Sequence, residues 1–251
     1  MPAYSATGVV LRTYPLGEAD RIVVVLTSEG RQIRAVAKGS RKGTSRLSGR
    51  MRPYVVAELL LATGRSLDVV SEAEVLEAHE ALSEDLDRGA AAGALSELAE
   101  RMSSEGDLEP RIFELTVATL DAVVATPPEQ SLLLVAAYYA KALAMHGWKP
   151  QLGTCVACGV PTEAGGYLSA AEGGVLCASC GGRDAVAPSL SAPMQALLAE
   201  LITATLADLA ARPHDAALVR DALLLLREFA TFHMGARLRA IDFLLALADP
   251  A

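Results

Sequence analysis

Short apolar runs rich in β-branched residues dominate the first 80 positions of the chain. Five such runs, separated by turns that contain Gly, Ser or Asp, cover 8–13, 21–27, 31–38, 53–61 and 67–75. Alternation along the third run places Ile33, Ala35 and Ala37 on one face, which predicts that these side chains point inward. Five short strands within about 80 residues predict a small barrel, and both an OB-fold and an SH3-like barrel suit that length.

After residue 80 the apolar residues recur every three or four positions, which is typical of helices. Segments rich in Ala, Leu and Glu follow this spacing at 80–102, 110–125, 128–146, 192–211, 215–233 and 235–248. Pro128 stands where a helix tolerates a first-turn proline, and Gly147 stands where a helix would end. The pattern predicts a β-barrel at 1–80 and a helical domain at 81–251, with a Cys- and Gly-rich insertion at 150–183.

The composition is that of a folded protein. Of 251 residues, 52% are hydrophobic and 21% are charged, and the formal net charge is −8. The longest strongly apolar run, Leu132–Met145, is too short to cross about 30 Å of hydrocarbon. The first eight residues lack the basic start and apolar stretch of a signal peptide. We therefore expect a soluble, cytoplasmic protein with no membrane partner.

The negative total hides a strongly basic segment. Residues 1–80 carry a net charge of +2 and residues 81–251 a net charge of −10. Eight basic side chains and no acidic one lie between residues 31 and 52, namely Arg31, Arg34, Lys38, Arg41, Lys42, Arg46, Arg50 and Arg52. Gly39, Gly43 and Gly49 each weaken a helix by roughly 1 kcal/mol relative to Ala. We therefore expect a mobile basic loop between the third and fourth strands.

This basic segment fits contact with phosphates. Many charge runs are simply solvated surface, but solubility is better served by mixed signs than by eight unopposed cations. Base reading is not expected, because the chain has no Asn and little Gln for adenine contacts. Tyr14 and Tyr54 are candidates for stacking on bases, and each residue equally suits the edge of the core.

Four cysteines form two CxxC knuckles, Cys155 with Cys158 and Cys177 with Cys180. The 18 residues between the inner cysteines match the spacing of a four-cysteine zinc site. Four thiolates close a tetrahedral shell and leave no open position for water or substrate. Two disulfides, a redox CxxC or unligated thiols are the alternatives, and the Gly-rich flanks disfavour the redox motif. We predict one structural Zn²⁺ per chain.

Motifs for catalysis are absent from the sequence. It contains no GxxxxGK[ST] or GxGxxG phosphate loop and no HExxH metalloprotease motif. The four histidines are dispersed, and the acidic clusters at 72–77 and 84–87 suit an exposed face or the first turn of a helix. We therefore predict no enzymatic activity and no small-molecule substrate.

Three segments together resemble the RecO family of bacterial recombination mediators over nearly the whole chain. They are 8–21 (GVVLRTYPLGEADR), 30–42 (GRQIRAVAKGSRK) and 232–244 (FHMGARLRAIDFL), and the paired CxxC knuckles add to them. The stretch 35–42 is the most specific part. The resemblance implies an α+β multidomain protein with an N-terminal OB-fold barrel, followed by an α-helical domain with an inserted zinc module.

The resemblance also implies a non-enzymatic role in recombinational DNA repair. Members of the family bind single- and double-stranded DNA, anneal complementary strands, and with RecR help load RecA on strands coated by single-strand-binding protein (SSB). A nucleoid-associated cytoplasmic location follows from that role. The family motif carries over to Arg34, Lys38, Arg41 and Lys42 as DNA contacts and to the four cysteines as zinc ligands. Arg46, Arg50 and Arg52 join the predicted contacts on charge alone.

Two other functions compete with this prediction. In the first, the protein is a zinc-ribbon-containing adaptor whose basic loop binds an acidic protein partner instead of DNA. In the second, the protein is a zinc hydrolase or nuclease, which requires an open metal position that four-cysteine ligation does not supply.

Overall fold

The first 80 residues form a closed five-stranded barrel. The computed structural model describes residues 2–43, 45–104 and 108–248. The barrel strands are β1 (Ala3–Leu16), β2 (Asp20–Thr27), β3 (Gln32–Ala37), β4 (Val56–Ala62) and β5 (Asp68–Glu77). They close in the order β1-β2-β3-β5-β4, in which the β3–β5 pair is parallel and the other pairs are antiparallel. The predicted OB-like barrel is confirmed.

The barrel interior is built from the inward faces of alternating strand residues. Ile33, Ala35 and Ala37 belong to this core, as their alternation predicts, together with Val23 and Val25 of β2. The long strand β1 pairs with β4 through its first half and with β2 through its second half, and its register shifts between Val10 and Arg12. The sequence predicts only 8–13 of this strand, because the flanking residues 3–7 (AYSAT) and 14–16 (YPL) contain no continuous β-branched apolar run.

The basic loop between β3 and β4 crosses one end of the barrel as a series of turns. No helix forms in it among the described residues, as the glycines predict. The expected mobile loop is anchored, because the fully buried Met51 belongs to the core and Leu47 packs against it. Gly39 (φ 67°) turns the chain out of β3, a backbone conformation that favours glycine.

Three helices complete the first compact unit, Met1–Pro128. They are α1 (Ala81–Glu84), α2 (Leu86–Met102) and α3 (Pro110–Ala125). The predicted single helix at 80–102 is broken at Asp85, whose side chain accepts a hydrogen bond from the Arg88 N–H and caps α2. Helices α2 and α3 pack against β1 and β2. The domain boundary predicted at residue 80 stays a prediction.

The second compact unit, Glu129–Ala251, is helical with a small sheet. Its elements are α4 (Ser131–Met145), β6 (Gly165–Ser169), β7 (Gly174–Leu176), β8 (Ser189–Ser191), α5 (Ala192–Thr203), α6 (Leu206–Ala210), α7 (Ala216–Met234) and α8 (Arg239–Leu247). Helix α4 packs against α5, α6 and α7. The predicted helix at 192–211 divides in two, because Thr205 caps α6 by accepting the Asp208 N–H. The three short strands are not predicted by the sequence.

Candidate nucleic-acid interface and metal centre

Three exposed cations lie together where the basic loop begins, beside the turn between β1 and β2. We call Lys38, Arg41 and Lys42 the basic cluster. The Arg41 guanidinium donates to the carbonyl of Gly17 (2.7 Å), and the Arg41 N–H donates to the carbonyl of Ala19 (2.9 Å). Within the described part of the chain, Lys38 and Lys42 have no acidic partner. The ammonium groups of Lys38 and Lys42 therefore face solvent without a paired carboxylate among the described residues.

A carboxylate in the neighbouring turn holds the base of this cluster. Oδ1 of Asp20 accepts a hydrogen bond from the Gly39 N–H at 2.7 Å. The hydroxyl of the fully buried Ser40 donates to the carbonyl of Ala37 at 2.8 Å. These bonds fix the direction in which the chain leaves β3, and with it the positions of Lys38 and Arg41. Sequence reasoning missed Asp20, because nothing local to the basic segment points to it.

Two predicted contacts, Arg34 and Arg52, are paired with acidic side chains from outside the basic loop, Glu100 of α2 and Glu80 just before α1. Arg34 Nη2 lies 3.6 Å from Oε1 of Glu100, whose other oxygen lies 3.2 Å from Arg12 Nε. Arg52 Nη2 lies 3.6 Å from Oε1 of Glu80. Both arginines are about half exposed, so they remain accessible, but each positive charge is partly neutralised.

Helix α2 and the residues that follow it cover part of the outer face of β2 and β3. This is the face on which OB-folds commonly bind oligonucleotides. Val24 and Leu26 point outward from the barrel core yet are fully buried. The N–H of Gln32 donates to the carbonyl of Ser104 (3.0 Å), and its side-chain amide donates to the carbonyl of Glu100 (3.3 Å). The uncovered part of the face lies toward the basic cluster, where Tyr14 is exposed.

Arg46 and Arg50 stand apart from the basic cluster, on the wall of a groove of about 930 Å³. Three carboxylates, those of Glu58, Glu72 and Glu74, line the same groove. Arg50 Nη1 donates to the carbonyl of Ala73 at 2.6 Å. Carboxylates repel phosphates, so this groove is a weaker candidate for DNA binding than the basic cluster. The seven predicted contacts thus divide into three exposed cations, two ion-paired arginines and two arginines beside an acidic groove.

Tyr54, the second predicted stacking residue, lies in a backbone conformation that is rare for tyrosine. Its φ is 73°, and its carbonyl oxygen lies 2.7 Å from Nδ1 of the buried His79. Burial raises the pKa of the Tyr54 phenol. Tyr54 is therefore a structural residue at the edge of the core, and Tyr14 is the better candidate for contact with a base.

The four cysteines converge on one point in the second compact unit. The sulfur atoms of Cys155, Cys158, Cys177 and Cys180 all lie within 4.8 Å of one another, and no disulfide joins them. Cys177 directly follows β7, and the N–H of Val156 donates to the carbonyl of Val175 in that strand (2.9 Å). The strands β6 and β7 thus bring together two knuckles that are distant in the sequence, and the four sulfur atoms could hold one metal ion.

The two glycines that follow the knuckles, Gly159 and Gly181, have different roles. Gly159 has a φ of 76° and donates its N–H to the carbonyl of Cys155 (2.8 Å), so it curls the backbone of the first knuckle. A Cβ at Gly181 would lie 2.6 Å from the ring of Tyr167. The second glycine is therefore required by close packing rather than by a positive φ.

The environment of the sulfur atoms shifts the pKa values of the cysteines in opposite directions. Backbone N–H groups, chiefly that of Cys177, stabilise the Cys155 thiolate and lower the pKa of Cys155 to about 6. The Cys180 thiol instead donates hydrogen bonds to the sulfurs of Cys158 and Cys177, which favour its protonated form and raise the pKa of Cys180 to about 12. The neighbouring sulfurs thus share protons, and a bound cation would favour the thiolate form of all four.

Two family models match consecutive parts of the chain. The model described as Recombination protein O N terminal matches residues 1–79, and the model described as Recombination protein O C terminal matches residues 83–241. Among the described helices, none is long and apolar enough to cross a membrane.

Curated relatives cover almost the full length of the chain. It is 39% identical over 255 residues to the DNA repair protein RecO of Frankia casuarinae, an alignment that covers 97% of this chain and 99% of the relative. It is 37% identical over 245 residues to the DNA repair protein RecO of Desulforudis audaxviator, with 97% of each chain covered. The DNA repair protein RecO of Bifidobacterium longum is 41% identical over 202 residues, which cover 79% of this chain and 83% of the relative.

Proposed function

This chain belongs to the RecO family of DNA repair proteins, and on that premise we propose that it is a DNA-binding, strand-annealing mediator of recombination. The basic cluster is the observation that carries the proposal. Lys38, Arg41 and Lys42 are exposed on the rim of an OB-like barrel and are held there by the turn between β1 and β2. Lysine and arginine on such a surface contact phosphates without reading sequence.

The chemistry of the cluster suits annealing. Cations that bind phosphates position a strand, while its base edges remain open to a second strand. Tyr14 is the exposed aromatic residue near the uncovered strand face, so few bases would be taken up by stacking. A strand held by its backbone, with its charge partly neutralised, meets a complementary strand at a lower electrostatic cost. Both single- and double-stranded DNA present the phosphates that this cluster requires.

The partners follow from the family role. We propose that RecR and SSB bind this protein and that it acts indirectly on RecA, by helping to load RecA on SSB-coated strands. A nucleoid-associated cytoplasmic location and the absence of enzymatic activity belong to the same proposal. The alternative is an adaptor whose basic loop binds an acidic protein segment, since the same three cations suit carboxylates as well as phosphates.

We propose that the four cysteines hold one structural zinc ion. A tetrahedral shell with Zn–S bonds of about 2.3 Å places neighbouring sulfurs about 3.8 Å apart. The Cys158 and Cys177 sulfurs are separated by 3.8 Å, so the donor set fits this ion. When bound, zinc supplies a crosslink that four thiolates saturate, so no position remains for water or substrate. The ion would fix the knuckles to β6 and β7 rather than take part in a reaction.

A salt titration of DNA binding tests the assignment. Affinity for a single-stranded oligonucleotide is measured by fluorescence anisotropy with the purified chain alone, for wild type, Lys38→Glu/Arg41→Glu and the control Arg65→Glu/Arg101→Glu. Arg65 and Arg101 are exposed cations of the same compact unit, so the control changes the net charge equally. We expect the first variant to lose most of the binding and the control to retain it.

The salt slope counts the cations engaged. For single strands the log–log slope is about −0.7 per phosphate contact, so the basic cluster alone gives about −2 and six cations give about −4. Equal losses in the two double variants would overturn the assignment of the site. Absence of DNA binding by the purified wild type, with binding of an acidic peptide instead, would favour the adaptor.

A further inference from the structure

Two arginines extend from the same level of the outer barrel face. Arg12 of β1 and Arg34 of β3 both pair in register with Val24 of β2, the strand that lies between them. Neighbouring strands are about 4.8 Å apart, which places the two arginine Cα atoms about 10 Å from each other. Arg34 is one of the predicted DNA contacts, whereas Arg12 lies outside the predicted set.

A single carboxylate of α2 bridges these two arginines. Oε2 of Glu100 lies 3.2 Å from Arg12 Nε, and Oε1 lies 3.6 Å from Arg34 Nη2. The Glu100 side chain is only 12% exposed, whereas the arginine side chains are 38% and 49% exposed. Guanidinium groups bind carboxylates and phosphates through the same N–H donors. Glu100, with one oxygen toward each arginine, therefore has the contacts that a backbone phosphate would make.

The arginine pair lies on the same face as the basic cluster. Lys38 follows Arg34 by four residues, so the two are about 13 Å apart along the strand direction. Tyr14, which is exposed, pairs with Ile22 in the row of the sheet between them. The basic cluster, Tyr14 and the arginine pair thus lie along one path across the barrel.

We propose that Arg12 and Arg34 form a second phosphate-binding site for a nucleic-acid strand, and that Glu100 closes this site by taking the place of the phosphate. The proposal rests on the DNA-binding function proposed above and adds an autoinhibitory contact to it. When the Glu100 side chain is displaced, the site keeps two guanidinium groups and, one turn earlier on α2, the buried carboxyl of Glu97. Its net charge is then positive. The wild-type protein therefore binds DNA less tightly than its arginines would allow.

The variant Glu100→Gln tests the closed site, because it removes the charge and keeps the shape of the side chain. Glu114→Gln is the control, since Glu114 is an exposed acidic residue of the same unit without an ion pair in the described structure. By fluorescence anisotropy with a single-stranded oligonucleotide, we expect Glu100→Gln to bind about three- to tenfold more tightly than wild type, and Glu114→Gln to stay within about twofold. The log–log salt slope of Glu100→Gln should steepen by about 1.4, which corresponds to two added phosphate contacts.

The variant Arg12→Gln separates release of the site from a general gain of positive charge. In wild type Arg12 is held by Glu100, so we expect its loss to weaken DNA binding by at most about twofold, less than the loss in Arg41→Gln. In the Glu100→Gln background Arg12 is free to bind a phosphate, and we expect Arg12→Gln to weaken binding by about three- to fivefold. The comparison of Arg12→Gln with Arg41→Gln in wild type tests the same contact should Glu100→Gln melt at a lower temperature.

Two results would overturn the inference. One is a gain of affinity in Glu100→Gln no larger than that in Glu114→Gln, and the other is an equal loss from Arg12→Gln in both backgrounds. If either occurs while Lys38→Glu/Arg41→Glu abolishes DNA binding, this inference fails and the proposed function stands. If neither wild type nor Glu100→Gln binds the oligonucleotide, the proposed function itself is wrong.

Discussion

For the removal of the Asp20 side chain, the structure and simple electrostatics predict opposite changes in DNA affinity. It is an acidic residue close to the basic cluster, so its removal should strengthen DNA binding if charge alone matters. In the structure, however, its carboxylate accepts the Gly39 N–H at 2.7 Å and fixes the exit of the chain from β3. If that bond positions the cluster, the variant Asp20→Ala should bind DNA more weakly than wild type.

The positioning effect is the larger of the two. One unit charge at about 10 Å in water contributes roughly 0.4 kcal/mol before screening by salt, about a twofold change in affinity. A hydrogen bond to a charged group contributes about 1.5–3 kcal/mol. Asp20 is partly exposed, so the lower end applies, and its full loss corresponds to about a tenfold decrease in affinity. The net effect of Asp20→Ala is therefore a decrease.

Two companion variants separate the effects. Glu18→Ala removes the same charge from the same turn, and Glu18 is exposed and makes no hydrogen bond or ion pair within the described structure. Asp20→Asn removes the charge but keeps an acceptor oxygen. Anisotropy with a single-stranded oligonucleotide should rank Glu18→Ala at or above wild type, Asp20→Asn near wild type and Asp20→Ala below it. A gain of affinity in Asp20→Ala, with unchanged thermal stability, would refute the positioning argument.

Three further predictions concern metal, pH and backbone strain. Elemental analysis should find one zinc per chain, and Cys155→Ser should lower the metal content and the melting temperature; a metal-free, equally stable wild type would contradict this. Burial lowers the pKa of His233, so the stability that its neutral form contributes is present above pH 6.5 and is lost as the pH falls below that value. Unfolding can be followed by the fluorescence of Trp148, the single tryptophan, whose ring is stacked on His233 at 5.5 Å. The loss of stability at low pH should appear in wild type and His146→Gln but not in His233→Gln. Gly39→Ala places a side chain at a φ of 67° and should lower the free energy of unfolding by about 1–2 kcal/mol, whereas an unchanged denaturant midpoint would show that the turn relaxes.

The barrel could be predicted from sequence because its signal is local. Alternation along a strand decides which side chains point inward, and the buried set Ile33, Ala35 and Ala37 follows from it. The cysteine cluster could also be predicted from the sequence, because each knuckle places two cysteines together and the spacing between the knuckles leaves few alternatives. The breaks at Asp85 and Thr205 were missed, although each is a side-chain cap with a recognisable acceptor residue, because helical spacing on both sides concealed them.

The division of the basic segment could not be predicted, because it depends on residues far away in the chain. Between residues 31 and 52 there is no acidic side chain, yet Arg34 lies 3.6 Å from Glu100 and Arg52 lies 3.6 Å from Glu80. These pairs exist only once α2 packs on the barrel and β5 leads into α1. Local charge counts therefore identify a basic surface correctly and overestimate how many of its cations are available.

The pairing of Glu100 with basic residues also affects where a DNA strand could lie on the barrel. Helix α2 covers part of the β2–β3 face, and its Glu100 binds both Arg12 and Arg34, the cations nearest the centre of that face. A DNA strand that lay across the centre would have to displace these ion pairs and approach the partly buried Glu100 carboxylate. A strand at the rim, beside Lys38 and Lys42, would have to do neither. If the proposed function holds, we therefore expect DNA to follow the rim of the barrel rather than the centre of its β2–β3 face.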